Sequence, residues 1–110
     1  MERPVTGNVV VCLFPFSNLA GKKLRPALVL APSEFNNLIL CQITSKPYSS
    51  KIAIRLTHED FSYGKLPINS YICPDKLFTA DVSIIQKVAG KITKTKQRSV
   101  LNAVRHLFKE

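Results

Sequence analysis

A cation and a proline stand at the mouth of an apolar run in the stretch Lys22-Lys23-Leu24-Arg25-Pro26-Ala27-Leu28-Val29-Leu30. Pro26 pushes the residue before it toward extended geometry and cannot donate to a ladder, so Arg25 is expected where a loop or edge feeds a strand. Ala27, Leu28, Val29 and Leu30 form a continuous apolar run, the pattern of a strand buried on both faces. An arginine at its entrance leaves the core for solvent or a cleft, where it either closes a surface ion pair or meets an anion.

The neighbouring segments read as more strands. After the turn signal Thr6-Gly7-Asn8, the β-branched run Val9-Val10-Val11-Cys12-Leu13-Phe14 predicts a central strand. Proline, glycine and small polar residues between Phe14 and Lys23 predict a long loop, carrying an aromatic at Phe16, polar groups at Ser17 and Asn18, and cations at Lys22 and Lys23. Strand two is expected over 25–31 and strand three over 38–44, with Asn36-Asn37 turning the chain between them. Ile52, Ile54 and Leu56 alternate with Ala53 and Arg55, which predicts a half-exposed fourth strand.

The segment from His58 to Pro67 reads as loop, 70–73 as a short strand ended by Pro74-Asp75-Lys76, and 77–81 as renewed extended structure. The segment 82–88 fits either a helical turn or a strand, and 89–92 a last strand. From Thr95, which can cap a helix start, Val100, Ala103, Val104, Leu107 and Phe108 recur at helical spacing, opposite a polar face of Lys96, Arg98, Asn102, Arg105 and Lys109. The expected architecture is a small antiparallel barrel of about five to seven strands with one C-terminal helix, in a single domain over 1–110.

Charge narrows the partners. The net charge of +9 is spread along the chain, with 7 basic against 2 acidic residues up to position 55 and 9 against 5 after it. An excess distributed over the fold favours a polyanionic ligand or an acidic partner. Cys12, Cys41 and Cys73 lie far apart in apolar extended segments with no Cys-x-x-Cys, so buried reduced thiols are expected in place of a disulfide or zinc site. No apolar run approaches the roughly 18 residues of a membrane span, and the residues after Met1 lack a signal-peptide pattern, so a soluble cytoplasmic protein with no membrane contact is expected.

The motifs Gly7-Asn8-Val9, Phe14-Pro15-Phe16, Lys23-Leu24-Arg25-Pro26-Ala27-Leu28-Val29-Leu30 and Ile43-Thr44-Ser45, taken in order and spacing, resemble the PemK/MazF family of bacterial toxin endoribonucleases. Pro74-Asp75-Lys76-Leu77-Phe78-Thr79 and Gly90-Lys91-Ile92 are similar to its later landmarks, so the resemblance covers nearly the whole chain. It implies an SH3-like barrel of the CcdB/MazF type and a homodimer. It also implies a cognate antitoxin whose flexible tail lies across the RNA groove, and cleavage of single-stranded RNA within a short sequence without a metal or other cofactor. On the matching positions, Arg25 and Thr44 stand where the family keeps its catalytic arginine and threonine, with Ser45 beside them. The chain departs from the family at Asn8, where members commonly carry an acid, and at Ile72-Cys73-Pro74-Asp75, where some have Arg-Cys-Asp.

The residue types suit that chemistry. When a 2'-hydroxyl attacks the adjacent phosphate, charge builds on the phosphoryl oxygens, and a site needs a fixed cation and hydroxyl donors aimed there. Arg25 supplies a planar cationic fork matched to phosphate, and Thr44 and Ser45 supply short donors at the end of strand three. Lys22, Lys23, Lys46 and Lys76 are candidates for neutralising phosphates or are solvated surface. Phe16 either stacks a base or packs inward, and Ser17 and Asn18 flank it. Asp75 is a general base, a partner orienting Arg25, or a plain turn aspartate. The alternatives in other classes are a non-catalytic barrel that binds RNA or an acidic partner, and a gyrase poison of the CcdB branch. The gyrase reading needs a C-terminal Trp-Gly-Ile, and this chain has no tryptophan.

Overall fold

The alternation along the first two strands sets the architecture. In the computed structural model, which describes residues 3–15, 22–46 and 51–109 (backbone alone at 15 and 22), β1 (Asn8–Pro15) and β2 (Lys22–Pro32) pair antiparallel with Val9 opposite Leu28 and Val10 opposite Ala27. Val9 and Leu28 belong to one buried cluster, Val10 and Ala27 to another on the opposite side, so consecutive residues of both strands are inside. This is why the two strands read as unbroken apolar runs.

Around them run β3 (Asn37–Thr44), β4 (Ile54–Leu56), β5 (Phe61–Gly64), β6 (Ser70–Asp81) and β7 (Ile85–Ile92), followed by the helix α1 (Lys94–Leu107). All pairings are antiparallel in one sheet of order β4-β6-β3-β2-β1-β7-β5, curled into a half-barrel. The expected barrel with a C-terminal helix is the observed fold. Val100, Leu101 and Val104 of α1 pack against the cluster of Val9, Leu28, Cys41 and Ile92, while Phe14 and Phe78 meet edge-on at 5.0 Å in the other cluster. No helix among the described residues is long and apolar enough to cross a membrane.

Four sequence expectations are corrected. Residues 61–64, read as loop, form β5, because Gly64 and Gly90 let its backbone approach β7 so closely that a Cβ on either would overlap the other strand. The strand at 70–73 does not end at Pro74. It continues to Asp81 through a bulge in which the register jumps from Gln42 opposite Cys73 to Cys41 opposite Leu77. The fourth strand is shorter than 52–56, and Ile52 precedes it, 42% exposed. The cap of α1 is Thr93, not Thr95: Thr93 is extended and its Oγ1 accepts from Lys96 N at 3.2 Å. A 3-10 turn at Val82–Ile84, capped by the Asp81 carboxylate, resolves the ambiguous segment before β7. The Ser83 amide bonded to that carboxylate holds its pKa below the usual range.

The helix also keeps less of its predicted face than the spacing implied. Gln97 and Val100 are buried, but Leu107 and Phe108 are 40% and 71% exposed, because the helix end overshoots the sheet cluster. The thiols of Cys12, Cys41 and Cys73 are reduced and buried as expected. Burial pushes Cys12 up to about 11; burial, with Cys73 adding to it, pushes Cys41 up to about 12.

Candidate active site

Arg25 pairs with Cys12 across β1 and β2, and β2 pairs with β3 through Ala27 opposite Gln42. Two residues further along the same antiparallel register, Arg25 and Thr44 lie at the same end of adjacent strands. Both open into a cleft of about 590 Å³ that Ser45, Lys23 and Lys46 also line. The side chain of Arg25 is half-buried, with its Nε inside. Its guanidinium is thus anchored by its stem and not swung freely in solvent. Pro26, next to it, forms part of the cleft floor with Val11, its partner across β1, and with Ile43.

Thr44 is fixed by a short-range bond. Its Oγ1 accepts from Lys46 N at 3.1 Å, a hydroxyl-to-backbone turn that ends β3 and brings Ser45 and Lys46 around to the cleft. A hydroxyl whose oxygen accepts from the backbone can still donate its proton outward. The cleft therefore offers a planar cation and two hydroxyl donors at one end.

The structure adds two cations that the sequence reading missed, Lys65 and Lys87. Lys87 lies on β7 directly opposite Val11, which itself faces Pro26, so it stands two strands, about 10 Å, from the Arg25 end. The register slips on both sides of this point, between Val9 and Val10 and between Val11 and Cys12. These bulges re-aim β7 so that Lys87 and Ala89 both face the cleft. The lone sequence signal for Lys87 was its alternation with Ala89. Among the described residues that line the cleft, Lys23, Arg25, Lys46, Lys65 and Lys87 are cationic and none is acidic. Such a surface attracts anions and repels acidic side chains.

Other candidates fall elsewhere. Asp75 and Lys76 sit on the bulge of β6, outside the described lining of the cleft. Phe16, Ser17 and Asn18 lie outside the described residues, and for Lys22 the structure gives only its backbone pairing with Pro15. Asn8 is not at the cleft. It is buried at the far end of β1, where Oδ1 accepts from Val5 N at 2.7 Å and Nδ2 donates to Tyr63 Oη and Gly90 O at 3.2 Å each.

A model of the PemK-like, MazF-like toxins of type II toxin-antitoxin systems matches residues 6–108. The chain belongs to this family.

No curated protein matches the chain in sequence. Solved structures do match in fold. MazF in a MazE-MazF structure from Deinococcus radiodurans superposes with a TM-score of 0.75 at 21% identity, over 96% of both chains. An endoribonuclease from a mycobacterial species gives 0.71 at 15% identity, over 96% of this chain and 91% of that one. An endoribonuclease in complex with its cognate antitoxin, also mycobacterial, gives 0.71 at 16% identity, over 94% and 92%. At these identities the likeness is one of fold. Within the PemK/MazF family, the half-barrel and its helix are thus the scaffold that carries the cleft described above.

Proposed function

We propose that the chain is the toxin of a toxin-antitoxin pair and acts in the cytoplasm as a sequence-specific, ribosome-independent endoribonuclease on single-stranded RNA, without a metal ion. The observation that carries this reading is the meeting of Arg25 and Thr44 in one cleft whose described lining holds five cations and no acid. Family membership and the similar endoribonucleases support it.

In the proposed reaction the 2'-hydroxyl oxygen bonds to phosphorus, and the bond from phosphorus to the 5'-oxygen breaks. A 2',3'-cyclic phosphate and a 5'-hydroxyl end result, the 2'-oxygen giving up its proton to a base or to water and the leaving 5'-oxygen taking one up from water. Arg25 binds the phosphoryl oxygens through its fork, and Thr44 and Ser45 donate to them as their charge grows. Lys23, Lys46, Lys65 and Lys87 hold flanking phosphates, with Lys22 and Lys76 as outlying candidates. Phe16, Ser17 and Asn18 remain candidates for contacts to bases. Asp75 is proposed as the proton acceptor or orienting partner only if the RNA or a second protomer brings it to the cleft. By analogy with the complexes noted above, a cognate antitoxin neutralises the protein, and the active form is a homodimer.

The test is incubation of the purified protein with a long single-stranded RNA in EDTA, followed by end mapping. Discrete cuts with 5'-hydroxyl ends support the reading; intact RNA that is nevertheless bound supports a non-catalytic RNA-binding barrel in its place.

A further inference from the structure

The cleft is lined mostly by carbon although its rim is cationic, and two of its apolar side chains are exposed at the mouth. Leu24, beside Arg25 on β2, is 54% exposed, and Ile68, on the segment between β5 and β6, is 63% exposed. Val11, Pro26 and Ala89 also line the cleft. A concave apolar surface left open beside fixed cations fits a ligand that is anionic along one edge and flat and apolar on another.

The wall that carries Ile68 is held in shape from three sides. At its start, Gly64 takes a positive φ of 78° and packs where a Cβ would overlap the Ala89 carbonyl, and Lys65 N donates to Ala89 O at 3.2 Å. In its middle, Leu66 packs against the buried cluster of Val9 and Leu28. At its end, Ser70, 4% exposed, donates from its hydroxyl to Ile68 O at 2.9 Å. Ser70 therefore serves the wall and is not a donor to substrate. Behind the wall lies a second cavity of about 190 Å³, which Leu66, Pro67 and Ile68 share with Leu56 and Phe61. An exposed isoleucine on a tethered segment is a preorganised contact.

We propose that Leu24 and Ile68 form an apolar jaw that takes one nucleobase next to the cleaved phosphate and thereby selects the sequence that is cut. This rests on the ribonuclease reading above. Charge complementarity decides the occupant: the cations would fix the phosphates of a single strand across the rim, and the base attached to a phosphate held at Arg25 falls within the cleft. Apolar side chains hold a splayed base by its flat face, and the shape of the gap sets which base fits.

The experiment maps every cut made by the full chain, by Ile68→Ser and by Ile68→Phe in one long RNA, counting 5'-hydroxyl ends by sequencing. Ile68→Ser removes exposed surface and should fold; its unfolding temperature, matched to wild type, verifies that. The expected result is a preference that relaxes at one position of the recognition sequence, by about tenfold in the ratio of best to second base. Ile68→Phe should shift the preference at that same position. A wild-type protein that cuts discretely while both variants give its site profile unchanged would overturn the jaw and leave the ribonuclease intact. A uniform fall at all sites would also overturn it. RNA left uncut by wild type would instead remove the reading on which the jaw stands.

Discussion

Asn8 donates from Nδ2 to the hydroxyl of Tyr63 at 3.2 Å, joining the start of β1 across β7 to the edge strand β5. With its bonds to Val5 N and Gly90 O, the side chain uses both ends of its amide on structure. The family's acid at this position is therefore replaced here by a residue that ties three segments together. Asn8→Ala should destabilise the fold by about 1–3 kcal/mol, since buried donors and acceptors lose their partner. Asn8→Asp should also destabilise it, because a carboxylate would face the Gly90 carbonyl. Urea unfolding measures both. An Asp variant with wild-type stability and higher RNA cleavage would mean that position 8 serves the chemistry instead.

The helix start offers a cleaner stability test. Thr93→Ala removes the cap of α1 and should cost about 1 kcal/mol, a few degrees of Tm for a domain of this size, while Thr95→Ala, on the exposed first turn, should change little. Thermal unfolding followed by circular dichroism separates the two.

What the sequence made legible was the part governed by local pattern. Residues 9–10 and 27–30 are apolar at every position because both faces of β1 and β2 are covered there. Arg25-Pro26 marked the cleft, although it stands inside β2, opposite Cys12 and Val11, and not at the strand entrance expected, because the β1–β2 ladder continues to Pro15 and Lys22. What stayed hidden depended on contacts between distant segments. β5 exists because Gly64 meets Gly90; Pro74 stays within a strand because a bulge absorbs it; Lys87 reaches the cleft because β7 slips register on both sides of it. The first two leave no periodic trace, and Lys87 leaves only its alternation with Ala89. Thr95, the cap that the spacing suggested, gave way to Thr93 because β7 ends at Ile92 and the helix begins directly after it.

The buried thiols tie stability to alkaline pH. Cys12 and Cys41 ionise at about 11 and 12 in the folded chain, above the ordinary thiol value near 8.5 to which they return on unfolding. The folded state then holds protons that the unfolded state has lost. Stability is flat below about pH 8.5 with respect to these groups and falls as pH rises from there through the folded values. Urea midpoints measured from pH 7 to 10.5 should decline in wild type, and less steeply in Cys12→Ser and Cys41→Ser when each is referred to its own midpoint at pH 7. In the native protein at pH 8 the thiols should resist iodoacetamide, reacting only once urea unfolds the chain.

The cationic rim predicts a salt law. RNA affinity should fall linearly on a log-log plot against salt, and Lys65→Ala or Lys87→Ala should each lower the slope by about 0.7, the value for one phosphate contact on a single strand. Binding titrations at several salt concentrations, made in an Arg25→Ala background to prevent cutting, give the slopes. Slopes unchanged in both variants would remove these lysines from the interface.

Thr44 carries two functions in one hydroxyl. Thr44→Val loses both the outward donor and the bond to Lys46 N, whereas Thr44→Ser keeps both. Cleavage should fall about 100-fold or more in the valine variant and recover with serine.

The central claim is that Arg25 stabilises the charge that builds on the attacked phosphate. Single-turnover cleavage of one defined single-stranded RNA in EDTA, by wild type and by folded Arg25→Ala, tests it most directly. The predicted result is rapid cutting by wild type to a 5'-hydroxyl end and a rate reduced about 100- to 1000-fold in the variant; equal rates at the same bond would contradict it.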